Sequence, residues 1–248
     1  MRIVAFYNLK GGVGKTSCAV NIAYLATQSH LPTLLWDLDP QGGASWLLGT
    51  DENSPHWSPK KLLRGKAVIG DQVVNTPYEH LQLIPADFSE RDFDLALARF
   101  ADDNDALKRL IDPFGETHSL AVLDCPPSLS RLALQVFAAA DIVFVPLVPT
   151  HLSLRAFHQV REYMKEHGLG HKNLYPFFNM VDVRRKLHRD IVETPPKELK
   201  RLLLSYIPYA SEVEKMGVHR APLPVYARTH PATIAFRNLW QDILAQIY

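Results

Sequence analysis

The 248-residue chain reads as a three-layer α/β domain, a mainly parallel twisted sheet flanked by helices on both faces. Three observations predict this. Short apolar runs alternate with longer segments of helical length or period, which is the trace that βαβ units leave in a sequence. The first apolar run leads at once into a glycine-rich loop that opens a helical segment. With 47% apolar and 21% charged residues, the chain is long enough to bury one sheet under two layers of helices, so residues 1–248 are expected to form a single domain.

The elements follow in order. Residues 3–7, 33–36, 120–123, 142–146 and 175–180 are short apolar runs, mostly bounded by charged, Gly or Pro residues, and are expected to be buried strands. Residues 16–29, 92–111, 129–138, 152–167 and 185–204 are expected to be the helices between and after them. Residues 49–80 mix Pro55, Pro59, Gly65, Gly70 and Pro77 with charges and read as irregular surface structure. In residues 234–248, Ile234, Phe236, Leu239, Trp240, Ile243, Leu244 and Ile247 fall near one helical stripe, which predicts a docked terminal helix. A membrane-surface helix would carry several basic residues on its polar face, and this segment has only Arg237.

Charge and cysteine content narrow the function classes. The formal net charge is +1, but residues 151–248 carry 15 Lys/Arg against 9 Asp/Glu, a net +6, leaving −5 for residues 1–150. Cys18 and Cys125 are too few and too far apart for a disulfide framework or a zinc site, which fits a reducing compartment. The chain starts on a strand-like run without a charged leader and has no uncharged apolar run of ~18 residues. A soluble, cytoplasmic protein without a membrane anchor is the expectation.

The loop carries the chemistry. Gly14-Lys15-Thr16 meets the end of the phosphate-loop pattern, although its first Gly would fall on Leu9 and the loop instead runs Lys10-Gly11-Gly12-Val13. Between a strand and a helix, such glycines let backbone N–H groups approach phosphates, and the helix N-terminus adds partial positive charge. Lys15 is placed to reach the β- and γ-phosphates, and the Thr16 hydroxyl to bind Mg2+, with Ser17 following as a second hydroxyl. A three-layer P-loop nucleotide-hydrolase fold follows.

Lys10 before Gly11-Gly12 resembles the deviant Walker A box of the ParA/MinD family of ATPases. Further segments match in order. Residues 34–42, with Asp37, Asp39, Pro40 and Gln41, resemble the family's second acidic box, and residues 123–128, with Asp124, Pro126 and Pro127, its Walker B segment. Residues 146–149 and 152–154 also fit, and the Pro40-Gln41 and Pro126-Pro127 pairs favour the ParA, Soj-like partition branch. The resemblance implies that Lys10 crosses a homodimer interface to phosphates bound by the partner, that Asp39 orients the attacking water, and that Thr16, Asp37 and Asp124 form the metal site. It implies Asn179 and Pro208 beside the adenine. The cofactors implied are ATP and Mg2+, and the activity a slow, partner-stimulated ATP hydrolysis. Asp37 and Asp39 could instead cap a following helix, and Asn179 could hold a loop backbone.

In ParA relatives, basic residues of the C-terminal half bind DNA without sequence preference, which implies roles here for Arg184, Arg185, Lys186, Arg189, Lys200, Arg201 and Arg220. Arg185, Lys186, Arg189, Lys200 and Arg201 are expected on one helix; the alternative is a solvated helix face. After Pro208 the chain departs from the family, with Tyr209-Ala210-Ser211-Glu212-Val213-Glu214 where relatives have an Arg. The function implied is an ATP-driven DNA-partition or cargo-positioning switch, nucleoid-associated and served by a ParB-like or adaptor protein. The alternative is a MinD-like or other switch acting on a protein or membrane partner without DNA. A MinD-type anchor would need a basic amphipathic tail beyond Tyr248, and the loop's closeness to Met1 is expected to leave no room for a preceding adaptor domain. Trp46, Trp57 and Trp240 are expected to pack, and His151, His158, His167 and His171 to serve as surface or packing residues.

Overall fold

Alternation along the first strand, β1 (Arg2–Phe6), sets up the layers: Ile3 and Ala5, with Tyr7 just beyond, enter one core, and Val4 and Phe6 enter the other. A strand buried on both faces reads as a continuous apolar run, as those of parallel sheets do. The computed structural model describes residues 1–49, 58–86, 91–100, 104–170 and 173–248.

From β1 the chain passes through helix α1 (Lys15–Gln28), strand β2 (Thr33–Asp37), and the short helices α2 (Gly43–Leu47) and α3 (Pro59–Leu63). Strands β3 (Val74–Asn75) and β4 (Leu81–Ile84) precede helices α4 (Arg91–Phe100) and α5 (Ala106–Ile111). Strand β5 (Leu120–Asp124), helix α6 (Arg131–Ala139), strand β6 (Ile142–Leu147), helix α7 (His151–Glu166) and strand β7 (Leu174–Phe178) complete the sheet. Helices α8 (Lys186–Glu193), α9 (Ser211–Glu214), α10 (Met216–His219), α11 (Leu223–Tyr226) and α12 (Pro231–Ile247) follow. The strand order is β3-β4-β2-β5-β1-β6-β7, parallel except for β3 at the edge.

One face of the sheet is covered by α1, α2 and α12, through Cys18, Ile22, Leu47, Phe236, Leu239 and Trp240; the other by α4 to α8, through Phe93, Leu107, Leu132, Leu154 and Ile191. The predicted terminal helix is therefore a docked one. Both cysteines are buried and free.

The five predicted strands are present, shifted by one or two residues at their ends. Three expectations are corrected. Residues 49–80 are not wholly irregular, since α3 and β3 fall within them, and the following run Leu81–Ile84 forms β4 beside β2. The helix expected over 92–111 is two, α4 and α5, with Asn104 and Asp105 outside either. The helix expected over 185–204 stops at Glu193, because Pro195 and Pro196 lack the N–H a helix needs and Pro195 pushes Thr194 out of helical backbone. Lys200 and Arg201 are consequently not on α8 with Lys186 and Arg189.

Candidate nucleotide site

Three parallel strand ends, those of β1, β2 and β5, converge on one edge of the sheet, where α/β folds bind their ligands. Beyond β1 the chain turns through Asn8 to Gly14 into α1. Gly14 lies at φ 84° with no side-chain cap above it, and no acidic residue occupies the first turn of α1, so the first free N–H groups of this 14-residue helix face the loop. Gly14 is required twice over: a side chain would be strained at this φ and would collide with the Asn179 amide.

Within the loop, Gly11 and Gly12 are exposed and Val13 is buried. The Lys15 side chain is only 6% exposed, and burial lowers its pKa while the charges of Asp124 and Asp39 work against that shift. Lys10, by contrast, is half-exposed and has no carboxylate partner among the described residues. The two lysines of the loop thus stand in different places, one inside the site and one at its rim.

Asp37 and Asp124 end adjacent strands and face each other in register. Asp37 is fully buried; its Oδ2 accepts from the backbone N–H and the hydroxyl of Ser45, both at 2.8 Å, and its Oδ1 accepts from the Asp39 N–H at 3.2 Å. Burial nonetheless pushes its carboxyl up to about 6, with the Asp39 charge adding to the rise. Among the described residues neither carboxylate oxygen of the fully buried Asp124 has a partner at full hydrogen-bond geometry, and the Thr16 hydroxyl is the donor beside it. Burial first, then the charge of Asp37, hold Asp124 well above the usual carboxylate range, against the pull of the Thr16 hydroxyl and Lys15. Buried carboxylate oxygens left short of partners, beside a Thr hydroxyl, fit a hard cation that takes oxygen ligands, keeps several waters and shares phosphate oxygens. Asp39 is half-buried, its Oδ1 accepting from the Gln41 N–H at 3.0 Å and its carbonyl from Gly42, so it sits in a tight turn at the mouth of the site.

Asn179 and Pro208 meet on the other flank. Pro208 bridges to Val181 just past β7, and with Gly14, Ser17, Asn179, Met180, Ile207 and Val213 it lines a cavity of about 90 Å³. The Asn179 Nδ2 donates to the Val13 carbonyl at 2.7 Å, so the amide nitrogen already serves the loop backbone. Asn179 thus holds the loop backbone, the alternative reading, and also borders the cavity.

The basic residues do not form one patch. Arg184 makes a bidentate pair with Asp182, and Arg185 lies 3.7 Å from the same carboxylate. Arg189 donates to the Val183 carbonyl at 2.6 Å. These residues, with Lys186, follow the C-terminal end of β7, whereas Arg201 sits over the Tyr175 ring near its N-terminal end, with Lys200 beside it. Arg220 lies 4.3 Å from the centroid of the Trp46 ring and donates to the Trp46 carbonyl, apart from both groups. Trp46 is 53% exposed and so is not the packing residue expected; Trp240 is buried, and Trp57 and His171 lie outside the described residues. No helix among the described residues is long and apolar enough to cross a membrane.

Two polar residues of the site, Asn8 and Ser45, are not singled out by the sequence. Asn8 stands immediately after an apolar strand, where a buried amide must find partners, and Ser45 lies one turn into the helix after the second acidic box. Neither position is distinctive without the strand register that makes it buried.

A family model described as an AAA domain matches residues 1–173. The chromosome-partitioning ATPase Soj of Treponema pallidum is 31% identical over 254 residues, covering 99% of this chain and 98% of its own. Among solved structures, cobyrinic acid a,c-diamide synthase from Mycobacterium smegmatis with a bound ATP analogue and magnesium superposes with a TM-score of 0.81 at 26% identity, covering 99% of this chain and 95% of its own. An Asp-to-Ala variant of McdA from Cyanothece in complex with ATP superposes with a TM-score of 0.84 at 18% identity, covering 98% and 96%, a likeness of fold.

Proposed function

From a chain that belongs to the ParA/MinD family of P-loop ATPases, we propose an ATP-dependent dimerising switch whose slow hydrolysis of ATP to ADP and phosphate drives DNA partition or cargo positioning. Residues 1–248 act as one ATPase domain, cytoplasmic and nucleoid-associated when loaded with ATP. The observation that supports this best is the division of labour between the lysines. Lys15 is buried among the acidic residues and serves the phosphates bound by its own protomer, while Lys10 stands at the rim without a carboxylate partner among the described residues, free to reach phosphates bound by a second copy.

In this reading the N–H groups of residues 11–16 and the Lys15 ammonium neutralise the phosphates, and Asn179, Pro208 and Ser17 border the adenine. Thr16, Asp124 and Asp37 would hold Mg2+, which when bound supplies charge neutralisation between the β- and γ-phosphates. Asp39, in its turn at the mouth, accepts a hydrogen bond from the attacking water and fixes its line of approach. Positioning and charge neutralisation suffice for phosphoryl transfer, so no protein nucleophile is needed. The Arg184, Arg185, Lys186 and Arg189 group contacts the phosphates of duplex DNA, and a ParB-like or adaptor protein stimulates hydrolysis.

Light scattering coupled to size-exclusion chromatography on Asp39→Ala, with Mg-ATP, Mg-ADP or no nucleotide and with or without short duplex DNA, tests the proposal. A dimer formed only with ATP and retaining DNA is the expected result. A dimer that ignores DNA moves the cargo surface to protein or membrane, and a monomer throughout overturns the switch.

A further inference from the structure

Buried amides cost free energy unless both of their ends are satisfied, and Asn8 satisfies both across the fold. Its side chain is fully buried at the end of β1. The Nδ2 donates to the Pro146 carbonyl on β6 at 2.8 Å, and the Oδ1 accepts from the backbone N–H of Lys10 at 2.9 Å. A bond from residue 8 to residue 10 alone would be a local turn. The tie to Pro146, 138 residues away, makes it a strut from the neighbouring strand to the start of the phosphate loop. The loop is held at its other end by Asn179, which donates to Val13. Two buried asparagines therefore clamp it, one at Lys10 and one at Val13, while Gly11 and Gly12 between them are exposed.

We propose that Asn8 is a positioning residue for Lys10: it fixes the backbone from which the rim lysine projects, and so governs the step that Lys10 serves, closure of the ATP dimer, more than nucleotide capture by the single protomer. Asn179, bonded next to Gly14 at the start of α1, governs capture. The inference rests on Lys10 acting across the interface.

The test is a double-mutant cycle on dimerisation with a non-hydrolysable ATP analogue, using Asn8→Ala, Lys10→Ala and both together, with the affinity of the monomer for the analogue measured alongside. Losing the strut should weaken dimer affinity by about tenfold beyond any change in monomer affinity, the scale expected for one well-placed hydrogen bond left unmade. In the Lys10→Ala background the same substitution should cost nothing further, because the residue it positions is gone. If Asn8→Ala does not fold, Asn8→Ser takes its place in the cycle. Equal losses in both backgrounds overturn the inference, since a generally loosened loop would weaken the dimer whether or not Lys10 is present. Unchanged dimerisation in Lys10→Ala alone overturns the interface reading itself, and this inference with it.

Discussion

Asp37 and Asp124 face each other at the ends of β2 and β5 with Lys15 as the nearby counter-charge, and that arrangement makes the site sensitive to protons. Asp37 ionises at about 6 in the fold against an ordinary 3.8, so the folded protein holds this proton more tightly than the unfolded chain does. The cost of ionising it is absent below the unfolded value, grows between 3.8 and about 6 and is complete above. Stability from the pair is thus lost as pH rises through that window. In the proposed metal site Mg2+ would offset the cost only where the carboxylates are charged, because its ligands must be deprotonated. Mg-ATP should therefore raise the melting temperature by more at about pH 7.5 than at about pH 5, and Asp37→Asn should shrink the difference. Equal stabilisation of the parent protein at both pH values would remove the pair from the metal site. These acids were singled out through the motifs that resemble the ParA/MinD family, and each closes an apolar run at the strand ends where α/β sheets bind ligands. Their pairing was not, since register between strands 87 residues apart is a tertiary fact. The same holds for Asn8 and Ser45, whose importance comes from Pro146 and Asp37, partners the sequence does not place beside them.

Helices declare themselves by period and by their ends, which is why α1, α6, α7 and α12 were legible and α8 was overextended. The stripe Phe236, Leu239, Trp240 and Ile243 predicted the buried face of α12. The break within residues 185–204 was also written in the chain, as Pro195-Pro196, but basic and apolar residues on both sides hid it. β4 escaped because Leu81–Ile84 is four residues with a Gln inside and follows an irregular stretch, too short for period to separate strand from turn. At this scale α12 invites a direct measurement. It packs on α1, the helix that carries the phosphate loop, and the Trp240 Nε1 donates to the Ser29 hydroxyl at 2.8 Å just past the end of α1. Truncating a buried tryptophan costs about 3–5 kcal/mol. In a domain of this size that lowers the melting temperature by roughly 10 °C. Trp240→Ala should show such a drop in thermal melting, and an unchanged melting temperature would mean that α12 is not part of the core.

For the whole molecule, the proposed switch requires that ATP in one place change affinity for DNA in another, and β7 offers a short path. Its exit carries Asn179, which touches the phosphate loop, then Val181 paired with Pro208 at the small cavity, then Asp182 with its arginines, then Lys186 at the start of α8. Lys200 and Arg201 lie by the strand's opposite end, where Arg201 is committed to Tyr175. In the proposed switch an ATP-gated DNA surface therefore belongs to the first end. Removing one cation from a DNA phosphate reduces the slope of log affinity against log salt by about 0.9 on duplex DNA. A symmetric dimer presents each lysine twice, so Lys186→Ala should reduce the slope by about 2 in the ATP-bound Asp39→Ala background, while Lys200→Ala should leave it unchanged. The salt dependence of DNA binding measured by fluorescence anisotropy reads this directly. A change in Lys200→Ala alone would put the DNA on the opposite edge of the sheet and break the path through β7. Parental slopes in both variants would take these lysines out of the DNA contact, and the ATP dimer would then present a different surface to its cargo.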